Sequence, residues 1–151
     1  MSWREFEITR RIATTPQRAF DFVADYRNVP RVLEGVSRWE PLSDRATGKG
    51  ARFEVEMKTF GIPLANVLVL DEWEPDRRIA WRSESGLIEQ RGGWTFAARR
   101  PEATDVTLAI SYRPPGAAVG NLLAGRVDSV VRARLARALD SMTSLLEREP
   151  A

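Results

Sequence analysis

The chain has 151 residues, of which 43% are hydrophobic and 29% charged, which is typical of one water-soluble globular domain spanning residues 1–151. It contains no cysteine and no histidine, which excludes disulfides, zinc sites ligated by those residues and histidine-dependent triads. Carboxylates, Tyr, Lys and Arg remain for acid–base chemistry, and they need strongly shifted pKa values to act near neutral pH. We therefore expect no metal site and no cofactor.

The charge pattern argues against nucleic acid as a partner. The net charge of +2 arises from 23 basic and 21 acidic residues that are interspersed, not clustered between aromatic residues. No run approaches the roughly 18 apolar residues of a membrane span, so we expect no integral membrane association. The N-terminal residues lack the continuous apolar stretch of a signal peptide. We expect a cytoplasmic monomer or homodimer.

The first segment of regular structure is a strand at residues 3–12. Phe6, Ile8 and Ile12 share one face, and charged or polar residues alternate with them. A period of two predicts a strand with one solvated face.

Two helix start signals come next. Thr15 can cap a helix whose first turn contains Pro16, and Asn28-Val29-Pro30 repeats this pattern. Gly35 is a natural stop for the second helix. The sequence therefore predicts two short helices in succession.

Turn residues divide the next part of the chain into six predicted strands. These are residues 36–42, 51–59, 64–73, 78–84, 87–99 and 106–112. Short connections predict an antiparallel meander, and a sheet of this size twists and curls. The 64–73 segment is apolar on both faces in its middle, so alternation cannot orient it.

The hydrophobic period changes to about 3.6 from Ala117 to about Arg148. The apolar arc consists of Val119, Leu122, Leu123, Val127, Val130, Val131, Leu135, Leu139, Met142, Leu145 and Leu146. Such a helix is about 45 Å long, enough to cross a small domain. Its wide apolar face must be buried, and the sheet is the only large partner available.

This order of elements, with the residues that punctuate it, resembles the START-like (SRPBCC) helix-grip superfamily, specifically its polyketide cyclase/dehydrase and lipid-transport group. The matching motifs are Thr15-Pro16-Gln17-Arg18-Ala19-Phe20 with Val23 and Asp25, Tyr26-Arg27-Asn28-Val29-Pro30 with Val32-Leu33, Trp73-Glu74-Pro75-Asp76-Arg77-Arg78-Ile79, Trp94-Thr95-Phe96, and Pro114-Pro115-Gly116 before an Arg-rich helix. The resemblance implies an α+β fold in which a curved antiparallel sheet of about seven strands grips the long C-terminal helix. It also implies a binder of lipids, polyketides, hormones or quinones, or, in a minority of members, an enzyme.

Candidate ligand-binding residues lie on the predicted inner faces of the strands and the long helix. They are Phe53, Val55, Met57, Trp81, Ile88, Gln90, Trp94, Phe96, Leu108, Ile110, Tyr112, Leu123, Val127, Val130 and Arg134. Their aromatic rings suit an apolar pocket, although the same residues could simply pack a core. Gln90 and Tyr112 need polar partners, either a ligand oxygen, each other, the backbone or water.

Two further features remain open in the sequence. Gly92-Gly93 is consistent with a bulge that would reverse the facing of Trp94 and Phe96 relative to Gln90. Arg134 falls inside the apolar arc, so it either extends outward to water or points at the cavity, where it could bind a carboxylate or enolate oxygen.

Glycines mark the start of the long helix at Gly116, Gly120 and Gly125. They are consistent with a ragged start, with close helix–sheet packing, or with a mobile cover over a cavity together with the turn at residues 60–63.

The sequence supports three hypotheses about function. The first is a binding or carrier protein for a small apolar ligand such as a lipid, isoprenoid or polyketide-like molecule. The second is a cyclase, aromatase or dehydratase in which Tyr112, Gln90 and Arg134 assist proton transfer, with no catalytic residue assigned. The third is an interaction module on a larger complex, which needs an exposed apolar or basic patch.

Overall fold

A computed structural model of the chain describes residues 3–59, 61–86, 88–113 and 117–148, without the side chains of Thr59 and of residues 117–125. Its elements are β1 (Arg4–Ile12), α1 (Pro16–Ala24), a 3₁₀ turn (Tyr26–Asn28), α2 (Val29–Val32), β2 (Val36–Pro41), β3 (Arg52–Thr59), β4 (Ile62–Glu74), β5 (Arg78–Gly86), β6 (Glu89–Arg100), β7 (Ala103–Arg113) and α3 (Ala117–Arg148). The strands form one seven-stranded antiparallel sheet in the order β1-β7-β6-β5-β4-β3-β2. The predicted α+β helix-grip fold and the bounds of the long helix are confirmed.

The helix that comes after β1 begins as predicted. The Thr15 side chain accepts a hydrogen bond from the Arg18 backbone N–H at 3.1 Å, and Pro16 is the first residue of α1. The second start differs, because a 3₁₀ turn capped by Asp25 precedes α2. Asn28 makes no capping bond, and its amide donates to the Phe22 carbonyl at 2.8 Å.

The alternation of apolar and polar residues did not show which face of β4 points inward, and the burial of its residues explains why. Leu68, Val69 and Leu70 are consecutive and all buried, so the inward and outward positions are both apolar. The β4–β5 pairing shifts register twice along this segment, between Val67 and Leu68 and between Leu70 and Glu72. Such irregularities bend a strand and increase the local twist, which helps the sheet to curve.

The long helix divides into two halves with different surroundings. Its second half is packed into the core, where Leu139 and Met142 are fully buried against the sheet. Val127 and Val130 in its first half are only partly buried. One end of the fold is therefore filled by side chains, and the other end holds a cavity. Within the described residues, none of the helices is both long enough and apolar enough to cross a membrane.

Candidate ligand-binding cavity

The space between the sheet and residues 127–135 of α3 is a cavity of about 320 Å³. Small-molecule sites in proteins have volumes of about 300 to 1,000 Å³, so this cavity is large enough for a compact ligand. Strands β3 to β7, the segment that joins α1 to α2, and α3 all contribute wall residues.

The structure places most of the predicted candidates on the cavity wall. They are Phe53, Val55, Met57, Trp81, Ile88, Gln90, Trp94, Leu108, Ile110, Tyr112, Val127, Val130 and Arg134. Phe96 is not among the wall residues, because its buried ring meets Phe20 of α1 edge-on, with the ring centroids 5.8 Å apart. The side chain of Leu123 lies outside the described residues, as do Phe60 and Gly116 of the predicted mobile segment.

Sequence reasoning missed several wall residues. They include Arg4, Asn66, Trp73, Trp39 and Tyr26. Asn66 is paired with Val55 of β3, so the two side chains lie on the same face of the sheet. The sequence did not indicate this, because β4 lacks the alternation from which its inward face could be predicted. Arg4 is the first residue of β1, where a charged residue is normally assigned to solvent.

The expected bulge at Gly92-Gly93 is wrong. Both glycines of β6 are paired without a register shift, to β5 on one side and to β7 on the other, and Gly92 lies opposite Trp81 and Ile110. A Cβ at Gly92 would lie 2.5 Å from Cζ2 of Trp81, well inside van der Waals contact. Glycine is needed there because the Trp81 indole occupies the space that a side chain would take. Without a bulge, the facing of Trp94 relative to Gln90 is not reversed.

Tyr112 belongs to a polar network that joins the sheet to α3. Its hydroxyl donates to Oδ1 of Asp128 at 2.5 Å. Arg4 holds the same carboxylate with two of its nitrogens, Nε at 2.7 Å from Oδ1 and Nη2 on Oδ2. Gln90 is opposite Tyr112 in the sheet, yet the phenol is bonded to Asp128 and the Gln90 backbone N–H donates to Ser83.

The pKa shifts in this network arise from its geometry. Burial, and then the hydrogen bond to Asp128, raises the pKa of Tyr112 above its ordinary value. The hydrogen bonds from Arg4 lower the pKa of Asp128, while the carboxylate raises the pKa of Arg4. Tyr112 is therefore a protonated phenol at neutral pH, with its proton donated to Asp128, and it does not act as a base.

Arg134 does not extend fully into water, the first of the two directions considered from the sequence, but lies on the cavity wall. It is half-buried on the cavity wall, and its guanidinium donates to the main-chain carbonyl of Lys58 at the end of β3. Burial lowers the pKa of Arg134 from its ordinary value, an effect that nearby Glu34 partly opposes.

Two wall residues carry buried polar atoms with no hydrogen-bond partner in the part of the chain that the structure describes. They are Oδ1 of Asn66, whose side chain belongs to a residue 6% exposed, and Nε1 of Trp81, a residue 8% exposed. An unsatisfied buried polar group costs about 1 to 3 kcal/mol, so such groups need an explanation. Among the described residues there is also no cluster of carboxylates that could hold a metal ion.

Comparisons with known proteins agree with the resemblance seen in the sequence. The structure is similar to TTHA0849 from Thermus thermophilus, with a TM-score of 0.81, 21% identity, and coverage of 93% of this chain and 95% of that one. It is also similar to the Zhui aromatase/cyclase from Streptomyces sp. R1128, with a TM-score of 0.82, 19% identity, and coverage of 97% and 95%. A START superfamily protein from Mycobacterium smegmatis gives a TM-score of 0.72 at 14% identity, covering 93% and 97%.

At these identities the solved structures establish the fold alone. Comparison with curated protein sequences gave no significant match. The family model described as polyketide cyclase/dehydrase and lipid transport matches residues 4–147. The chain therefore belongs to the polyketide cyclase/dehydrase and lipid transport family.

Proposed function

We propose that the protein binds and carries a small, mainly apolar molecule in the cavity beneath α3, acting in the cytoplasm as a monomer or homodimer. The observation that carries this proposal is the cavity of about 320 Å³, whose wall is formed largely by aliphatic and aromatic side chains. Apolar walls with a few placed polar groups are typical of small-molecule sites.

The packing of the molecule supports a binding role over a purely structural one. A well-packed core has few voids larger than a water molecule, and the second half of α3 shows that this chain can pack that way. Residues 127–135 of α3 leave space beneath them, and the unsatisfied atoms of Asn66 and Trp81 belong to residues that line it. A ligand with an apolar body and a hydroxyl or carbonyl group would fill the space and supply polar partners after small side-chain adjustments.

The first experiment is native mass spectrometry of freshly purified protein, together with titration by N-phenyl-1-naphthylamine, a neutral apolar fluorescent probe. We expect a ligand-bound mass or saturable probe fluorescence at one site per chain. Val130→Trp should abolish probe binding because Val130 lines the cavity from α3. The matched control is Ser144→Trp, which adds the same side chain at an exposed position of the same helix. Absence of both signals, or loss of binding in the control alone, contradicts the proposal.

A second candidate is a cyclase, aromatase or dehydratase that works in the same cavity, and the Tyr112 network favours it. The Tyr112 phenol at the cavity wall donates its one proton to Asp128, which Arg4 also holds, and in this candidate it would turn that proton to a carbonyl oxygen of the bound substrate. Such a group can stabilise negative charge that develops on a carbonyl oxygen without itself giving up a proton.

This candidate predicts that Tyr112→Phe lowers turnover of a linear poly-β-ketone about a hundredfold, with substrate binding little changed. The measurement is single-turnover kinetics with analysis of the products. If Tyr112→Phe and Arg134→Ala both leave turnover unchanged, this version of the enzyme hypothesis fails.

The third hypothesis, an interaction module, lacks a specific observation in its favour. The large hydrophobic residues exposed in the described part of the chain are Leu42 and Ile62. They lie near opposite ends of β3, so they do not form one patch.

A further inference from the structure

Asn66 is a polar residue at a buried position of the cavity wall. It is 6% exposed, and its Oδ1 atom has no hydrogen-bond partner in the part of the chain that the structure describes. Its neighbours in the sheet are Val55 of β3 and Gly86 of β5, and neither has a side chain that can donate a hydrogen bond. The described residues thus place an acceptor beside the cavity without supplying a donor for it.

The neighbouring strand makes room for this amide. Gly86 has φ +135°, and a Cβ there would lie 1.9 Å from Oδ1 of Asn66. A larger residue at position 86 would therefore take the space that the amide oxygen uses. Because the χ2 angle of Asn has a broad energy profile, a small rotation about it turns Oδ1 away from Gly86 and towards the cavity.

Asn66 lowers the stability of the ligand-free protein. A buried polar group without a partner is destabilising, whereas an apolar residue of similar shape in its place is not. Such a group on the wall of a cavity calls for an explanation, and a bound ligand that supplies the missing partner is one.

The chemistry of an amide oxygen points to one class of ligand group. The oxygen accepts hydrogen bonds and cannot donate them, so carboxylates, ketones and ethers would leave it without a partner. An ammonium group would donate, but the charged members of the described wall, Arg4 and Arg134, are cationic. An uncharged hydroxyl satisfies the acceptor without bringing a charge into an apolar cavity.

We propose that Asn66 binds a hydroxyl group of the ligand, so that the cognate molecule is an uncharged, mainly apolar alcohol or phenol. This rests on the proposed function, since it requires that the cavity takes a ligand. It goes further by naming the functional group that the ligand carries and the residue that binds that group.

The test compares 1-decanol with its isomer 1-methoxynonane, which has no O–H donor, as displacers of N-phenyl-1-naphthylamine. The quantity compared between variants is the ratio of the two displacing concentrations, because differences between the isomers in water then cancel. We expect Asn66→Leu to shift this ratio about tenfold against decanol, as the loss of one hydrogen bond to a buried acceptor implies. Asn66→Ser keeps an acceptor oxygen and should keep part of the preference. Gln17→Leu is the matched control, because it removes a carboxamide from an exposed position of α1.

The ratio separates recognition of the hydroxyl from a change in the shape of the cavity. A reshaped cavity would weaken the two isomers alike, whereas loss of the acceptor weakens decanol alone. Native mass spectrometry with each isomer gives the same ratio for a variant that no longer binds the probe. An unchanged ratio in Asn66→Leu, or an equal shift in Gln17→Leu, overturns the inference, while probe binding by the unsubstituted protein keeps the carrier proposal intact. If the unsubstituted protein binds no probe and carries no ligand, the carrier proposal fails and the inference fails with it.

Discussion

Tyr112 both packs against β1 and lines the cavity. Its ring stacks on Phe6 with the centroids 6.0 Å apart, while its hydroxyl reaches Asp128 of α3. Because burial raises its pKa, the phenol remains a donor throughout the physiological pH range. The residue therefore ties the open half of α3 to the sheet while its side chain forms part of the cavity wall.

Asn66 is the residue whose replacement tests the cost of an unsatisfied polar group. Asn66→Leu replaces the side-chain carbonyl, which has no hydrogen-bond partner among the described residues, with an apolar group of similar shape on the cavity wall. We expect the ligand-free protein to become more stable by about 1 kcal/mol, which raises Tm by about 2 to 4 °C. Differential scanning calorimetry measures this directly. A lower Tm would mean that the amide is satisfied in solution, by water or by a ligand retained through purification.

The strand β6 depends on a close approach between Gly92 and Trp81. Gly92→Ala places a methyl group where the indole lies and near the Ala109 carbonyl, so we expect a loss of about 1 to 3 kcal/mol of unfolding free energy from the displaced ring. Gly93→Ala is the matched control, since its Cβ would meet the flexible end of Arg78 and the Ala80 methyl at 3.1 to 3.2 Å. Urea denaturation that ranks Gly93→Ala as the more damaging change would contradict this account.

Two carboxyls that join β1 to β7 and to α3 make stability depend on pH. The hydrogen bonds from Arg11 and Arg99 lower the pKa of Asp105 to about 2, and those from Arg4 lower the pKa of Asp128. Both carboxyls bind protons less readily in the folded state than in the unfolded state. Their contribution to stability is therefore complete above the unfolded pKa of about 3.9 and declines as the pH falls towards the folded values.

We accordingly expect the urea midpoint to fall between about pH 4 and pH 2, within the span of the unfolded and folded pKa values. The double variant Asp105→Asn/Asp128→Asn should start from a lower midpoint and lose less of it over the same interval. A midpoint with the same pH dependence in both proteins would show that other carboxyls govern acid unfolding.

At the scale of the whole molecule, the division of α3 into a packed half and an open half should make stability depend on ligand. A molecule that binds only the folded state stabilises it by about 2.7 kcal/mol at a hundred times its Kd. We expect N-phenyl-1-naphthylamine to raise Tm in proportion to the logarithm of its concentration. Val130→Trp should have a Tm that the probe does not change, whereas Ser144→Trp should respond like the unsubstituted protein.

The sequence alone determined the order and type of the elements, the bounds of α3 and the inward-facing parity of most wall residues. Hydrophobic periodicity, caps and turn residues are local properties, so neighbouring residues carry that information. Phe53, Val55 and Met57 could be assigned to one face because β3 alternates along its whole length.

Only the tertiary structure decided which of these residues surround empty space. Phe96 has the correct parity but packs beneath Phe20, and Asp128 joins Arg4 across 124 positions of the chain. Such contacts depend on strand register and on where α3 crosses the sheet, which no local pattern encodes. The same holds for Arg134, whose position in the apolar arc was visible in the sequence but whose partner, the Lys58 carbonyl, comes from a strand 76 positions away.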